Sequence, residues 1–210
     1  MSASAPRRAL VVIDVQNEYI SGNFKIEYPD PQSSLVQIGK AMDAARAHDI
    51  PIAMVQHVLP PDAPIFAKGG FGVALHPVVG ARPYDKLITK DLPSTFAGTD
   101  FGQWLKEKNI DTVVIVGYMT HNCNDSTIRQ AMHEGYAVEF LHDAAGSLPY
   151  RNRMGMATAA EIHRVECIVL ESSFAAVLST DEWLASLATG TPAARDNIYL
   201  SNQRAVLEPA

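Results

Sequence analysis

Short apolar strands alternate with amphipathic helices along almost the whole chain, and this alternation constrains the fold more than any other feature of the sequence. The first strand is predicted at Leu10–Ile13, where the unbroken run Leu-Val-Val-Ile is typical of a strand buried on both faces of a sheet. Alternating strands and helices build a parallel sheet, because right-handed crossovers place a helix between one strand and the next. The sequence therefore predicts an α/β fold with helices on both faces of a mainly parallel sheet.

Six strands and five helices account for most of the chain. The predicted strands are Leu10–Ile13, Ile52–Val55, Lys86–Thr89, Thr112–Val116, Ala137–Leu141 and Cys167–Leu170. The predicted helices are Ser33–His48, Gly98–Lys108, Asn122–Glu134, Arg151–Arg164 and, near the end, about Asp181–Ala188. The Pro- and Gly-rich segment 58–85 has no sustained period, and a loop of this length is usually functional, for example as a lid. No repeat or low-complexity linker interrupts the chain, which indicates a single domain over residues 1–210 with the common strand order 3-2-1-4-5-6.

Charge balance and cysteine content limit the functions open to such a chain. Its 210 residues carry a formal net charge of −6 without a block of Lys or Arg, which argues against nucleic-acid binding. The apolar run Ala9–Ile13 is too short for a secretion signal or a membrane span. Cys123 and Cys167 are the only cysteines, so no disulfide framework is expected and the thiols fit a reducing compartment. We therefore expect a cytoplasmic protein with neither a membrane nor a nucleic-acid partner.

Three polar residues follow predicted strands: Asp14, Lys90 and Cys123. Ligand sites of open parallel sheets lie beyond the carboxyl ends of the strands, where the strand order reverses. In the assumed order, the strands that precede Asp14 and Cys123 are neighbours, so these two residues can face each other across the crevice. The strand before Lys90 lies farther away, so the lysine is expected to reach the site through its loop.

The chemistry of these side chains suits nucleophilic catalysis. A thiol near a helix N-terminus and beside a lysine is expected to have a lowered pKa, and a carboxylate can take its proton. Backbone N–H groups of the same turn can stabilise an oxyanion. Each residue also has an ordinary alternative: Cys123 as a small buried apolar residue, Asp14 as a cap and Lys90 as a solvated charge. Their joint occurrence at strand ends favours the catalytic interpretation, whereas Cys167, inside a predicted strand, is expected only to pack.

The motifs around these residues resemble the isochorismatase-like cysteine hydrolases. They are Val11-Val-Ile-Asp-Val-Gln-Asn17, Lys90-Asp-Leu-Pro-Ser-Thr-Phe96 and Val116-Gly-Tyr-Met-Thr-His-Asn-Cys123, and the resemblance extends over roughly residues 10–170. It implies a three-layer α/β/α sandwich, a triad of Asp14, Lys90 and Cys123, and a cis peptide between Tyr118 and Met119. It also implies that the backbone N–H groups of Met119 and Cys123 form the oxyanion site.

The resemblance also implies a reaction class. Members of this family hydrolyse small amide, ureido and carbamoyl compounds, while the isochorismatases proper cleave a vinyl ether and lack the cysteine. Cys123 therefore favours hydrolysis of a C–N bond in a small-molecule substrate through a covalent intermediate. No cofactor is implied. Nicotinamidases of the family carry a metal site with an Asp-x-His tripeptide, but the matching residues here are Val55-Gln-His57, so we expect no metal and a structural role for His57 and His76.

Residues next to the motifs are the candidates for substrate binding, namely Gln16, Tyr19, Phe96, Tyr118 and His121. For Gln16 the alternative is a role in tying the turn, and for His121 it is solvent exposure. Within the long loop, Phe66 or Phe71 could close over a substrate and Lys68 or Arg82 could meet a carboxylate, although local packing and solvation are the commoner fates of such residues. Asn124 replaces a residue that is often Val in the family, which leaves the substrate open.

Two other interpretations remain at this stage. One is hydrolysis of a vinyl ether of the isochorismate type, and the other is a non-catalytic binding or assembly protein of the same fold. The segment 181–210 lies beyond the last predicted strand and contains the apolar Ile198-Tyr-Leu200 and Val206-Leu207. Because proteins of this family are commonly oligomeric, we expect this extension to pack on a neighbouring subunit of a homo-oligomer.

Overall fold

The structure is a computed structural model that describes residues 5–207. Its strands are β1 (Arg8–Ile13), β2 (Ile52–His57), β3 (Lys86–Lys90), β4 (Thr112–Tyr118), β5 (Ala137–Gly146), β6 (Tyr150–Asn152), β7 (Gly155–Ala157) and β8 (Ala176–Leu178). Its α-helices are α1 (Pro31–Ala47), α2 (Pro77–Gly80), α3 (Phe101–Glu107), α4 (Asp125–His133), α5 (Ala159–Ser173), α6 (Thr180–Thr189) and α7 (Ile198–Leu207). A 3-10 turn at Asn17–Tyr19 and a π-helical turn at Thr120–Asn124 complete the elements.

Six strands form one parallel sheet in the order β3-β2-β1-β4-β5-β8, while β6 and β7 pair separately as an antiparallel hairpin. The predicted α/β/α class and the reversal of strand order between β1 and β4 are therefore confirmed. Every residue of β1 is buried, as its unbroken apolar run requires.

The helices cover both faces of the sheet. On one face Leu10 and Val12 of β1 pack with α1 and with Trp183 of α6. On the other face Val11 and Ile13 pack with α3, α4 and α5. Alternate residues of the central strand thus enter two different cores, which is the three-layer arrangement. None of the helices within residues 5–207 has the length and apolar character needed to span a bilayer.

The sixth sheet strand is not where the sequence predicted it. Residues 167–170 belong to helix α5, and the edge strand is β8, which follows that helix. The helix starts from a capping box in which Thr158 and Glu161 bond each other's backbone N–H groups. A short apolar run fits a strand and a helix equally well, and here helical spacing leaves Leu170 buried while Ile168 and Val169 are exposed. The predicted helix 151–164 is likewise wrong in its first half, which forms the β6–β7 hairpin.

Candidate active site

The topology brings Asp14, Lys90 and Cys123 together. Asp14 directly follows β1, Lys90 is the last residue of β3, and Cys123 lies in the π-helical turn after β4. The lysine does not use a loop, as the sequence suggested; its side chain extends from the strand end past β2. The Lys90 ammonium lies 2.7 Å from Asp14 Oδ2 and 3.3 Å from Cys123 Sγ. All three residues are buried.

The two oxygens of the Asp14 carboxylate have different environments. Oδ2 accepts the hydrogen bond from Lys90, whereas Oδ1 is buried and has no partner among residues 5–207. The backbone of Asp14 has a φ of 53°, in the left-handed region that is uncommon for residues other than glycine. Such backbone geometry clusters at functional sites. A buried carboxylate oxygen without a donor is available to accept a proton from the neighbouring thiol.

Burial dominates the electrostatics of the thiol. It raises the pKa of Cys123 well above its usual value, with Asp14 adding to the rise and Lys90 opposing it. Burial alone would lower the pKa of Lys90, but Asp14 and Cys123 outweigh it and raise this pKa. Burial therefore opposes the predicted lowering of the thiol pKa, although Lys90 acts in the predicted direction. The Asp14 carboxylate lies close to the thiol and is of a chemical type that can accept its proton.

The turn that carries Cys123 is held by its own polar groups. It is a π-helical turn that precedes α4 rather than the first turn of an α-helix beginning at Asn122. Asn124 donates its side-chain amide to the Gly117 carbonyl at 2.8 Å, so this polar residue ties the turn to β4. The peptide between Tyr118 and Met119 is cis, as the family resemblance implied.

Three of the predicted substrate-binding residues have their functional groups engaged elsewhere. The Gln16 amide donates to the carbonyls of His57 and Val73 and accepts from the His57 N–H, which favours its alternative role of tying the turn. The Tyr118 hydroxyl bonds Ser34 at 2.7 Å. Phe96 packs edge-on against Phe101 in the apolar core.

The other two remain open to a ligand. Tyr19 is buried, and its ring packs against Phe66 and Tyr118. Its hydroxyl has no hydrogen-bond partner in the described part of the chain, and burial together with Cys123 and Asp14 raises its pKa. His121 uses Nδ1 toward Ser147, while its buried Nε2 has no partner within residues 5–207. Burial lowers the pKa of His121 to about 4, so the ring is neutral at physiological pH.

Two residues near the site were not assigned to it from the sequence. His57 places Nδ1 3.2 Å from the Lys90 ammonium, so its role is not merely remote packing. The Tyr150 ring lies edge-on to His121. Burial raises the pKa of Tyr150, and the nearby Cys123 adds to this rise. The signal for His57 was its position at the end of a predicted strand. Tyr150 was not identified because the segment from residue 151 was predicted to be a helix, whereas it belongs to the β6–β7 hairpin.

The long loop contributes Phe66 to the site and little else that was predicted. Phe66 is buried against Tyr19 and His57, whereas Phe71 is exposed. Lys68 is exposed, and Arg82 pairs with Asp43 on helix α1. His76 caps α2 by accepting the Val78 N–H.

The site residues do not fit a metal ion. Ligand-type atoms of Asp14, His57 and Cys123 converge within 4.8 Å of one another. However, the Lys90 ammonium lies within 3.3 Å of each of these groups, so a fixed cation already occupies their shared space. Val55, at the position of the missing carboxylate, is buried in the apolar core and offers no ligand atom.

Comparison with known proteins agrees with this architecture. Residues 8–182 match the family model described as the isochorismatase domain. A crystal structure from Burkholderia xenovorans LB400, described provisionally as an isochorismatase, superposes with a TM-score of 0.96 at 59% identity and covers 97% of this chain and 98% of its own. The secreted isochorismatase effector Isc1 of Verticillium dahliae is 30% identical over 181 residues, which are 86% of this chain and 92% of that protein. The ureidoacrylate amidohydrolase RutB of Pseudomonas savastanoi is 29% identical over 169 residues, with 65% and 69% covered. The chain belongs to the isochorismatase family of hydrolases.

Proposed function

We propose that this protein hydrolyses a C–N bond of a small amide, ureido or carbamoyl compound, with Cys123 as the nucleophile. The observation that carries the proposal is the single buried ammonium of Lys90, which contacts both the Asp14 carboxylate and the Cys123 thiol. In this arrangement Cys123 is the proposed nucleophile, Asp14 is the neighbouring base, and Lys90 fixes the orientation of Asp14. The similarity to an amidohydrolase of ureidoacrylate supports the same bond type.

In the proposed reaction, Asp14 accepts the thiol proton while Sγ attacks the substrate carbonyl carbon. The resulting oxyanion is stabilised by the backbone N–H groups of Met119 and Cys123. Asp14 then returns the proton to the leaving nitrogen, the C–N bond breaks, and an acyl thioester remains on Cys123. Asp14 next takes a proton from water as hydroxide adds to the thioester carbonyl. The C–S bond then breaks, Asp14 passes its proton to the departing sulfur, and the acid leaves. Lys90 keeps the carboxylate oriented and balances its charge.

The surroundings of Cys123 support a small substrate with an apolar portion. Tyr19, Phe66, Tyr118 and Tyr150 place aromatic rings around the reacting groups. The free Tyr19 hydroxyl and the His121 Nε2 are the polar groups proposed to bind the substrate. Among the described residues, the cation that contacts the thiol is Lys90, and it is already paired with Asp14.

A screen of small amides, ureas and carbamoyl acids tests the function. Wild-type protein should release acid and amine from at least one of them, and Cys123→Ala should release none while keeping its thermal stability. Turnover that survives in Cys123→Ala would exclude the thiol mechanism. Isochorismate belongs in the same screen, since its cleavage would favour the vinyl-ether alternative. Absence of product from every compound in the screen would favour a non-catalytic protein.

We also propose that the protein is a homo-oligomer joined through α7. This helix buries none of its residues against its own chain. It exposes the large apolar residues Ile198, Tyr199, Leu200, Val206 and Leu207. A second copy is the proposed occupant, because helix α5, which α7 touches, also exposes apolar side chains. Sedimentation should show an oligomer that Leu200→Asp dissociates, and a wild-type monomer would contradict the proposal.

A further inference from the structure

The Lys90 ammonium has three N–H donors, and three acceptor groups surround it. Asp14 Oδ2 lies 2.7 Å away, His57 Nδ1 3.2 Å away and Cys123 Sγ 3.3 Å away. An ammonium group can donate three hydrogen bonds and accept none. Asp14 and Cys123 accept two of the hydrogen bonds of the Lys90 ammonium, and His57 is therefore the residue that accepts the third.

This contact defines the state of the imidazole. Because Lys90 can only donate, Nδ1 of His57 must accept, and the ring is neutral with its hydrogen on Nε2. Burial and the Lys90 charge both lower the pKa of His57, which favours the same neutral ring. The charged groups that act on it are Lys90 and Asp91 at the end of β3 and Asp14 after β1.

The backbone around His57 fixes where the ring can lie. His57 is the last residue of β2 and is in register with Lys90 on β3. Its N–H donates to Gln16 Oε1 at 2.9 Å, and its carbonyl accepts from Gln16 Nε2 at 2.8 Å. Its ring packs edge-on against Phe66. The buried Gln16 amide thus holds the backbone, and Phe66 holds the ring.

We propose that His57 is a positioning residue that holds the Lys90 ammonium between Asp14 and Cys123, and that protonation of His57 releases this hold. The inference rests on the proposed function. Without an acceptor at Nδ1, one N–H of a buried ammonium has no partner, and the ammonium turns away from its alignment with the sulfur. When the ring is protonated, two cations face each other at hydrogen-bonding distance and repel.

Alkylation of Cys123 by iodoacetamide, itself a small primary amide, tests the role without knowledge of the substrate. The full chain carries Cys167→Ser, so that only Cys123 reacts. His57→Asn keeps an oxygen acceptor at the position of Nδ1, and His57→Ala removes it. We expect alkylation of the Ala variant to be at least about tenfold slower at neutral pH, and that of the Asn variant to stay within about threefold of wild type.

The pH profile separates positioning from a merely structural role. As the pH falls below the ordinary imidazole pKa, the alkylation rate of the protein with His57 should fall more steeply than that of His57→Asn, because only the imidazole can be protonated at this position. Equal rates for Ala and wild type, or parallel profiles for Asn and wild type, would overturn the positioning role. If the Ala variant fails to fold, as judged by circular dichroism, the comparison of Asn with wild type still decides. Absence of hydrolysis in the compound screen would instead remove the proposed function, whereas the relative alkylation rates decide the positioning role.

Discussion

The Lys90 ammonium lies 2.7 Å from Asp14 Oδ2, although β2 separates the strands that carry the two residues. Neither side chain has any solvent-exposed surface. Removing one partner of such a pair leaves the other as an uncompensated buried charge. The ion pair should therefore matter for both stability and activity.

Lys90→Met is expected to lower the free energy of unfolding by about 3–5 kcal/mol. It should also lower hydrolysis at least about a hundredfold, because Asp14 and Cys123 lose the ammonium that contacts both of them. Urea denaturation and steady-state kinetics measure the two effects. The control is Lys86→Met, which removes an exposed pair with Asp100 and should cost less than about 1 kcal/mol. Equal losses of stability in both variants would contradict the prediction.

Tyr19 and Tyr118 offer a matched pair of hydroxyl groups. The Tyr19 hydroxyl has no partner in the described part of the chain, whereas the Tyr118 hydroxyl bonds Ser34. Tyr19→Phe should therefore lower kcat/KM by about tenfold without loss of stability. Tyr118→Phe should cost about 1 kcal/mol of stability and leave kcat/KM unchanged. Kinetics combined with urea denaturation test this, and the reverse pattern would exclude Tyr19 as a substrate contact.

Much of the fold was predictable because local sequence and tertiary environment agree. The four strands predicted from apolar runs at 10–13, 52–55, 112–116 and 137–141 lie within the observed β1, β2, β4 and β5. The sixth sheet strand was not predictable, since the run at residues 167–170 fits either element until its neighbours are known. Helix α5 forms there because a capping box starts it eight residues earlier.

The site was predictable in its members but not in its geometry. Asp14, Lys90 and Cys123 were identifiable from their motifs, yet the reach of Lys90 past β2 depends on side-chain length and strand register. The same register places His57 beside Lys90, which no local pattern encodes. The raised pKa of Cys123 also depends on burial by the assembled layers.

Gly117 of β4 is in register with Ile13 of β1, the residue before Asp14. Its φ is +107°, and a Cβ atom there would lie 2.0 Å from the Ile13 carbonyl oxygen. Gly117→Ala should therefore destabilise the protein by at least about 3 kcal/mol. Gly135→Ala is the control, because Gly135 also has a positive φ but no atom within 4 Å of its added Cβ. Its cost should be about 1 kcal/mol. Similar melting temperatures for the two variants would show that the close approach is unimportant.

His163 should make stability fall in mild acid. It is buried, with Nδ1 2.9 Å from Thr120 Oγ1, and burial together with His142 and His121 lowers its pKa to about 4. Because the unfolded chain protonates this ring near pH 6.5, it binds a proton between about pH 6.5 and 4 that the folded state does not. The stability that the protein has with a neutral His163 is therefore complete above that pH window, and it declines as the pH falls through the window.

His163→Asn keeps a hydrogen-bonding group for the Thr120 hydroxyl but cannot titrate. Between pH 7 and pH 5, wild-type protein should lose roughly 2 kcal/mol more unfolding free energy than this variant. Urea denaturation at the two pH values measures the difference. Because Thr120 begins the turn that carries Cys123, the loss should be accompanied by slower Cys123 alkylation in wild type than in the variant at pH 5. Identical pH dependence in the two proteins would show that His163 does not couple acid to this turn.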